Sequence, residues 1–268
     1  MRILTYDGSF VGFLTAVFRL YAEFGYARAD PEQFAIAKAN ASSADLFAPA
    51  IDSPGDPEKA DRVLRKLEKL FSRSGVQRLL LAFLSEAPGI EQHLLTTLRH
   101  ALASPGQNVL DDHAHPAISE INRLANRVWR ERHRLLGFVR FEKTGNDVYF
   151  ARIAPEYDVL LLLANHFKRR YGDQRWAIFD VRRQFGIYFD RQQIQWIDHL
   201  EPIIGAEWRQ LLASDEASYQ TLWRGYLSHG NIAERNNPRQ HLRQMPKRYW
   251  RYLTEKNFQP GDNSGHSP

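Results

Sequence analysis

The spacing of apolar residues changes at Gly137, and that change constrains the fold more than any other feature of the chain. Before it, Ile118, Ile121, Leu124, Ala125 and Val128 recur as one face of a helix predicted over about 116–135, with Arg123, Arg127, Arg130 and Arg134 lining its edge. After it, residues 138–143 and 148–153 read as two β-prone runs joined by Thr144-Gly145-Asn146-Asp147, a hairpin signal. A helix through Val159, Leu160, Leu163, Phe167 and Tyr171 comes next, ended by Gly172, and then two more strands over 175–181 and 184–189. Strand, strand, helix, strand, strand over 137–190 predicts an α+β protein, helix-rich with a small, mainly antiparallel sheet.

The rest of the chain punctuates itself less sharply. Residues 2–6 read as a strand ending at Asp7-Gly8-Ser9, and Phe10, Phe13, Leu14, Val17, Phe18 and Tyr21 then mark a helix with an aromatic stripe. Residues 25–54 are weakly patterned and predict a short strand plus a surface loop. A helix opens at Asp56-Pro57, buries Val63, Leu64, Leu67, Leu70 and Phe71, and is interrupted at Gly75; helices over 76–85 and 89–103 follow. Residues 191–253 read as mainly helical, including a helix through Tyr219, Leu222, Trp223 and Tyr226. The expected organisation is 1–115, 116–255 and a disordered tail over 256–268, the first two open to forming one continuous domain.

Composition narrows the chemistry. The chain has 268 residues, 43% of them hydrophobic, enough for a real core, and no cysteine. Thiolate zinc sites, cysteine nucleophiles and Cys-ligated iron–sulfur clusters are therefore excluded within it. No apolar run reaches the roughly 18 residues of a membrane span, and no signal-peptide pattern opens the chain, so a cytoplasmic protein is expected, with no membrane partner. The net charge of +5 is unevenly spread: residues 121–191 carry a balance of +7 and residues 224–256 one of +6, separated by a stretch of −4. Two basic blocks suit a phosphate backbone, through counterion release, or a solvated charged face.

Several stretches carry candidate chemistry. Asp7-Gly8-Ser9 stands where backbone N–H groups could hold a phosphate, although helix capping alone explains it. If 138–143 is a strand, Arg140 and Glu142 share its face with Phe138 and either pair across the sheet or point into a cleft. His166, Lys168, Arg169 and Arg170 end a helix, followed by Arg175, Trp176, Arg182 and Arg183, an interleaving that suits backbone tracking and base stacking. His113-Ala114-His115 beside Asp111-Asp112 lacks metal-ligand spacing, so neither a metal nor a cofactor is expected. The stretch 235–252 interleaves six Arg or Lys, among them Arg239, Arg243, Lys247 and Arg248, with Tyr249, Trp250 and Tyr252. It reads as a nucleic-acid-binding arm, or as a docking arm that buries its aromatics. Expected nucleic-acid contacts are thus Arg127, Arg130, Arg140, Lys168, Arg169, Arg182, Arg183, Arg239, Arg243, Lys247, Arg248 and Trp250. A metal-assisted or acid/base nucleic-acid-processing enzyme, using Glu142, His166 or Asp180, is the alternative, and an interaction protein without nucleic-acid contact the third reading.

Three stretches also carry a resemblance: Tyr6-Asp7-Gly8-Ser9-Phe10, Gly137-Phe138-Val139-Arg140-Phe141-Glu142 and Met245-Pro246-Lys247-Arg248-Tyr249-Trp250. Together they resemble a bacterial family described as "probable DNA metabolism protein", over about residues 1–255. Its members are encoded beside a radical SAM protein of DNA modification or repair, and some are fused to a uracil-DNA-glycosylase-like domain. The resemblance implies an accessory role in DNA repair or modification, with the radical SAM protein and DNA (or RNA) as partners. Without cysteine here, the cluster and the radical chemistry would belong to that partner. No glycosylase-like extension follows, so base excision by this chain is not expected.

Overall fold

The computed structural model describes residues 2–25, 34–39, 50–198, 245–253 and 256. The chain divides into two compact units, Met1–Trp129 and Arg130–Pro268.

The first unit opens with β1 (Arg2–Tyr6) and α1 (Phe10–Ala22). Ser9 caps α1 by accepting from Gly12 N at 2.9 Å, and the aromatic stripe turns inward, with Phe13, Leu14 and Val17 buried. Because α1 carries the chain back across the sheet, β2 (Phe34–Lys38) returns parallel to β1, and β3 (Ala50–Asp52) pairs parallel on its other side, in the order β2-β1-β3. The weakly patterned stretch therefore supplies two strands where one was expected. Their apolar runs are too short to show a period without the β1 register they pair with.

Asp56 caps α2 (Pro57–Phe83), accepting from Glu58 N and Lys59 N. The expected break at Gly75 falls at Ser72, where φ is 61° and ψ 169° inside an otherwise helical run. Ser72 Oγ then accepts from Gly75 N at 3.4 Å, capping the second half as a serine at a helix start does. Gly75 itself is needed for packing: a Cβ there would stand 2.8 Å from Phe71 Cβ and 3.1 Å from Leu110 Cδ1. α3 (Ile90–Ala103) and the start of α4 (Pro116–Phe138) complete this unit, and Ile118, Ile121, Leu124, Ala125 and Val128 are all buried as their spacing predicts.

The second unit begins inside α4. That helix runs to Phe138, so the first hairpin strand shrinks to β4 (Glu142–Lys143), paired antiparallel with β5 (Val148–Ile153) through Glu142↔Phe150 and Lys143↔Tyr149. Arg140 therefore lies on no strand and shares no strand face with Glu142. Its guanidinium donates to Gly137 O at 2.6 Å, at the end of α4, where a cation suits the exposed carbonyls. α5 (Leu160–Arg170) crosses from β5 to β6 (Arg175–Asp180), which makes that pair parallel, while β7 (Phe185–Phe189) pairs antiparallel with β6.

A further strand, β8 (Ile194–Asp198), corrects the helical expectation for that stretch. It pairs antiparallel with β7, giving the order β4-β5-β6-β7-β8. Asp190 Oδ1 accepts from the backbone of Gln192 and Gln193 at 2.8 Å, closing a tight turn that sends the chain back beside β7. Trp176, Ile178, Ile187, Phe189, Leu163 and Phe167 form the unit's centre, with the Trp176 and Phe189 rings 5.4 Å apart. The α+β architecture with a mainly antiparallel larger sheet is thus as expected. The helix expected through Tyr219, Leu222, Trp223 and Tyr226 and the tail from Pro260 lie outside the described residues.

Candidate nucleic-acid interface and the buried carboxylate behind it

One densely connected polar group of the second unit does not stand among the sequence-based candidates. Glu131 lies three residues beyond Val128 and four before Leu135, on the apolar face of α4, and is 1% exposed. Its Oε1 accepts from Glu156 N at 3.0 Å and from the Tyr249 hydroxyl at 2.7 Å, and its Oε2 from Tyr157 N at 2.8 Å. Arg248 adds a longer contact to Oε1 at 3.4 Å and one to Glu156 Oε2 at 3.3 Å, its guanidinium lying over the Tyr249 ring. A buried carboxylate persists only with such a donor set. The signal was present, since a glutamate on an apolar stripe at helical spacing is a charge that must be buried with partners.

This carboxylate docks the carboxyl-terminal motif. Residues Lys247–Tyr252 form a short 3-10 helix in which Tyr249 is buried, with its ring 5.4 Å from that of Phe138. Burial, with the neighbouring Glu131, pushes the Tyr249 phenol well above its ordinary range. Trp250 is only half-buried; its Nε1 donates to Met245 O at 3.1 Å, and Lys247 and Lys256 stand over its ring at 6.0 and 5.2 Å. Tyr249 is thus a buried anchor, as the docking reading expected of it, while Lys247 and Arg251 are exposed and Trp250 is partly so.

The residues expected to touch nucleic acid separate in the same way. Arg182 and Arg183 clamp the loop before α5, donating to Glu156 O at 3.0 and 3.1 Å, and Arg183 also to Pro155 O at 3.3 Å. Asp180, fully buried, accepts from Arg182 N, Arg183 N and Arg183 Nη1, closing the β6–β7 turn; burial raises its pKa against the pull of those donors. Arg248 is engaged with Glu131 and Glu156. Glu142 is half-buried on β4.

Arg127 and Arg130 are exposed on α4, in the first and second units respectively. At the end of α5, Lys168, Arg169 and Arg170 are all exposed. Lys168 donates to Gln192 O and lies over the Phe189 ring, Arg170 stacks on Tyr171, and none of the three meets a carboxylate among the described residues. His166, one turn earlier, is held below its ordinary pKa by burial and by the guanidiniums of Arg170, Arg132 and Arg169. Arg239 and Arg243 lie outside the described residues.

In the first unit, Asp7-Gly8-Ser9 is filled by its own side chains. Asp7 Oδ1 accepts from Ser9 N at 2.8 Å and Ser9 Oγ at 2.7 Å, and a Cβ on Gly12 would collide with the Asp7 carboxylate. That carboxylate occupies the place an anion would take. Tyr6 donates to the buried Glu91 at 2.7 Å. The His115 ring lies tilted against that of His100, with centroids 4.7 Å apart, and His100 Nε2 is 3.5 Å from Asp112 Oδ2. Among the described residues no three His, Asp or Glu are arranged to hold a metal ion, and no helix is long and apolar enough to cross a membrane.

These features define a class: an α+β protein whose carboxyl-terminal basic-aromatic motif is pinned to a buried helix glutamate, beside a sheet unit with a cationic helix end. The match to the family model "domain of unknown function (DUF4130)" covers residues 88–255, more than half of the chain, and the protein belongs to that family. No curated protein and no solved structure matches the chain significantly.

Proposed function

We propose that this protein is a nucleic-acid-associated accessory protein of DNA repair or modification that works beside a radical SAM enzyme. The observation that carries the nucleic-acid reading is the exposed run Lys168-Arg169-Arg170, which no carboxylate neutralises among the described residues, beside a histidine held below its ordinary pKa by burial and by the surrounding guanidiniums. The helix dipole favours cations at this end, but three in succession with no carboxylate partner among the described residues leave a positive potential that attracts phosphate. Lys247 and Lys256 around the half-exposed Trp250 ring add a second place for a phosphate and a stacked base. The radical SAM partner rests on the resemblance of the three motifs, and a cysteine-free chain suits a protein that leaves the cluster to its partner.

The test is a salt titration of binding to single- and double-stranded DNA and to RNA. Wild-type affinity should fall steeply with salt, and replacing Lys168, Arg169 and Arg170 by Gln should flatten the log–log slope by roughly 0.9 for each duplex phosphate that is no longer neutralised. An unchanged slope would remove this helix end from the interface. Co-purification with the radical SAM protein tests the partnership separately.

A further inference from the structure

We infer that the first unit binds a small amphiphilic anion, an apolar body with one carboxylate or phosphate head, in a cavity between α1, α2 and α3. The cavity measures about 360 Å³, and its walls are Val17, Val63, Leu67, Leu98 and Leu102, with Phe18 at one side. An apolar cavity of about 150 Å³ holds a benzene, so this one takes a body of roughly twelve heavy atoms. Apart from the Tyr21 hydroxyl, the apolar walls offer the edge groups of a nucleobase no side-chain partners, so a mainly hydrocarbon body suits them best.

The charge is on the rim. Arg62 and Lys66, one turn apart on α2, line the cavity and are exposed. The neighbouring cations Lys59 and Arg65 are neutralised: Lys59 lies 3.7 Å from Asp56 and 3.9 Å from Glu23, and Arg65 pairs with Asp61. Arg62 and Lys66 meet no carboxylate among the described residues. Arg62 is instead held with its guanidinium over the Phe18 ring, 4.8 Å from the centroid, which fixes a planar cation at the mouth. An apolar pocket with a few placed polar groups is the usual form of a small-molecule site, and two uncompensated cations at its mouth select an anionic head. This site lies in the first unit and is independent of the nucleic-acid reading.

The probes are 2-naphthoate and its uncharged counterpart 2-naphthol, titrated calorimetrically into the full chain. Naphthoate should bind once per chain and at least ten-fold more tightly than naphthol. Replacing both Arg62 and Lys66 by Gln, at exposed positions that leave the core intact, should bring naphthoate down to the affinity of naphthol, and Leu102→Trp should block both. Absence of saturable naphthoate binding, equal affinity for the two probes in wild type, or binding indifferent to both variants overturns the inference. So does a result in which only an acidic, leucine-bearing helical peptide binds, since that would make the cavity a protein-docking groove.

Discussion

Removing one oxygen atom tests whether the carboxyl-terminal motif is pinned as described. In Tyr249→Phe the ring stays against Phe138 while Glu131 loses its donor at 2.7 Å. A hydrogen bond to a charged group contributes about 1.5–3 kcal/mol, and because the backbone donors of Glu156 and Tyr157 remain, the loss should fall near 2 kcal/mol. Glu131→Ala strips the partner from those donors and from the phenol at once and should cost about 3–5 kcal/mol. The pH dependence has a definite sign. The native phenol titrates above its unfolded value of about 10, so its contribution is complete below that pH and is lost as pH rises, by about 1.4 kcal/mol per unit. Tyr249→Phe should lack that part of the alkaline slope, whereas Tyr6, raised by burial and by Glu91, keeps its own in both proteins. Urea unfolding at pH 8 and at pH 10–11 measures both effects. A Tyr249→Phe protein within about 0.5 kcal/mol of wild type, with an unchanged alkaline slope, would refute the pinning.

His166 should report the approach of phosphate: its imidazole resonances are expected to titrate below the ordinary histidine range in the free protein and to move upward when an oligonucleotide binds, because an added anion offsets Arg132, Arg169 and Arg170. A titration curve that does not move on saturation with DNA would place the phosphates elsewhere. Ser72→Gly should stabilise the first unit by about 1 kcal/mol in thermal unfolding, since φ 61° with ψ 169° is backbone that favours glycine and a serine cap is exchanged for glycine at a cost of only a few tenths; destabilisation would argue against that backbone. Gly186→Ala places a Cβ 2.9 Å from both Ile178 O and Phe179 Cδ2 at the centre of the larger sheet, and should cost about 1–3 kcal/mol, with a melting point unchanged from wild type as the contrary result.

Much of this architecture is local and was therefore legible. The stripe from Ile118 to Val128, the caps at Ser9 and Asp56 and the turn at Thr144–Asp147 depend on residues within a few positions of one another, and all are where their spacing put them. The order of strands around α5 was legible too, because a helix between two strands obliges the chain to cross back over the sheet. Tertiary structure decided the rest. Extending α4 through Gly137 to Phe138 takes Arg140 off the sheet, and β8 takes its place because β7 offers Ile194–Asp198 a row of backbone groups to pair with. Arg182, Arg183 and Arg248 look identical in sequence to Lys168, Arg169 and Arg170. Only the fold determines that the first three meet carbonyls and carboxylates and that the last three meet no carboxylate among the described residues, because the partners that neutralise an arginine here lie as far as 117 positions away along the chain.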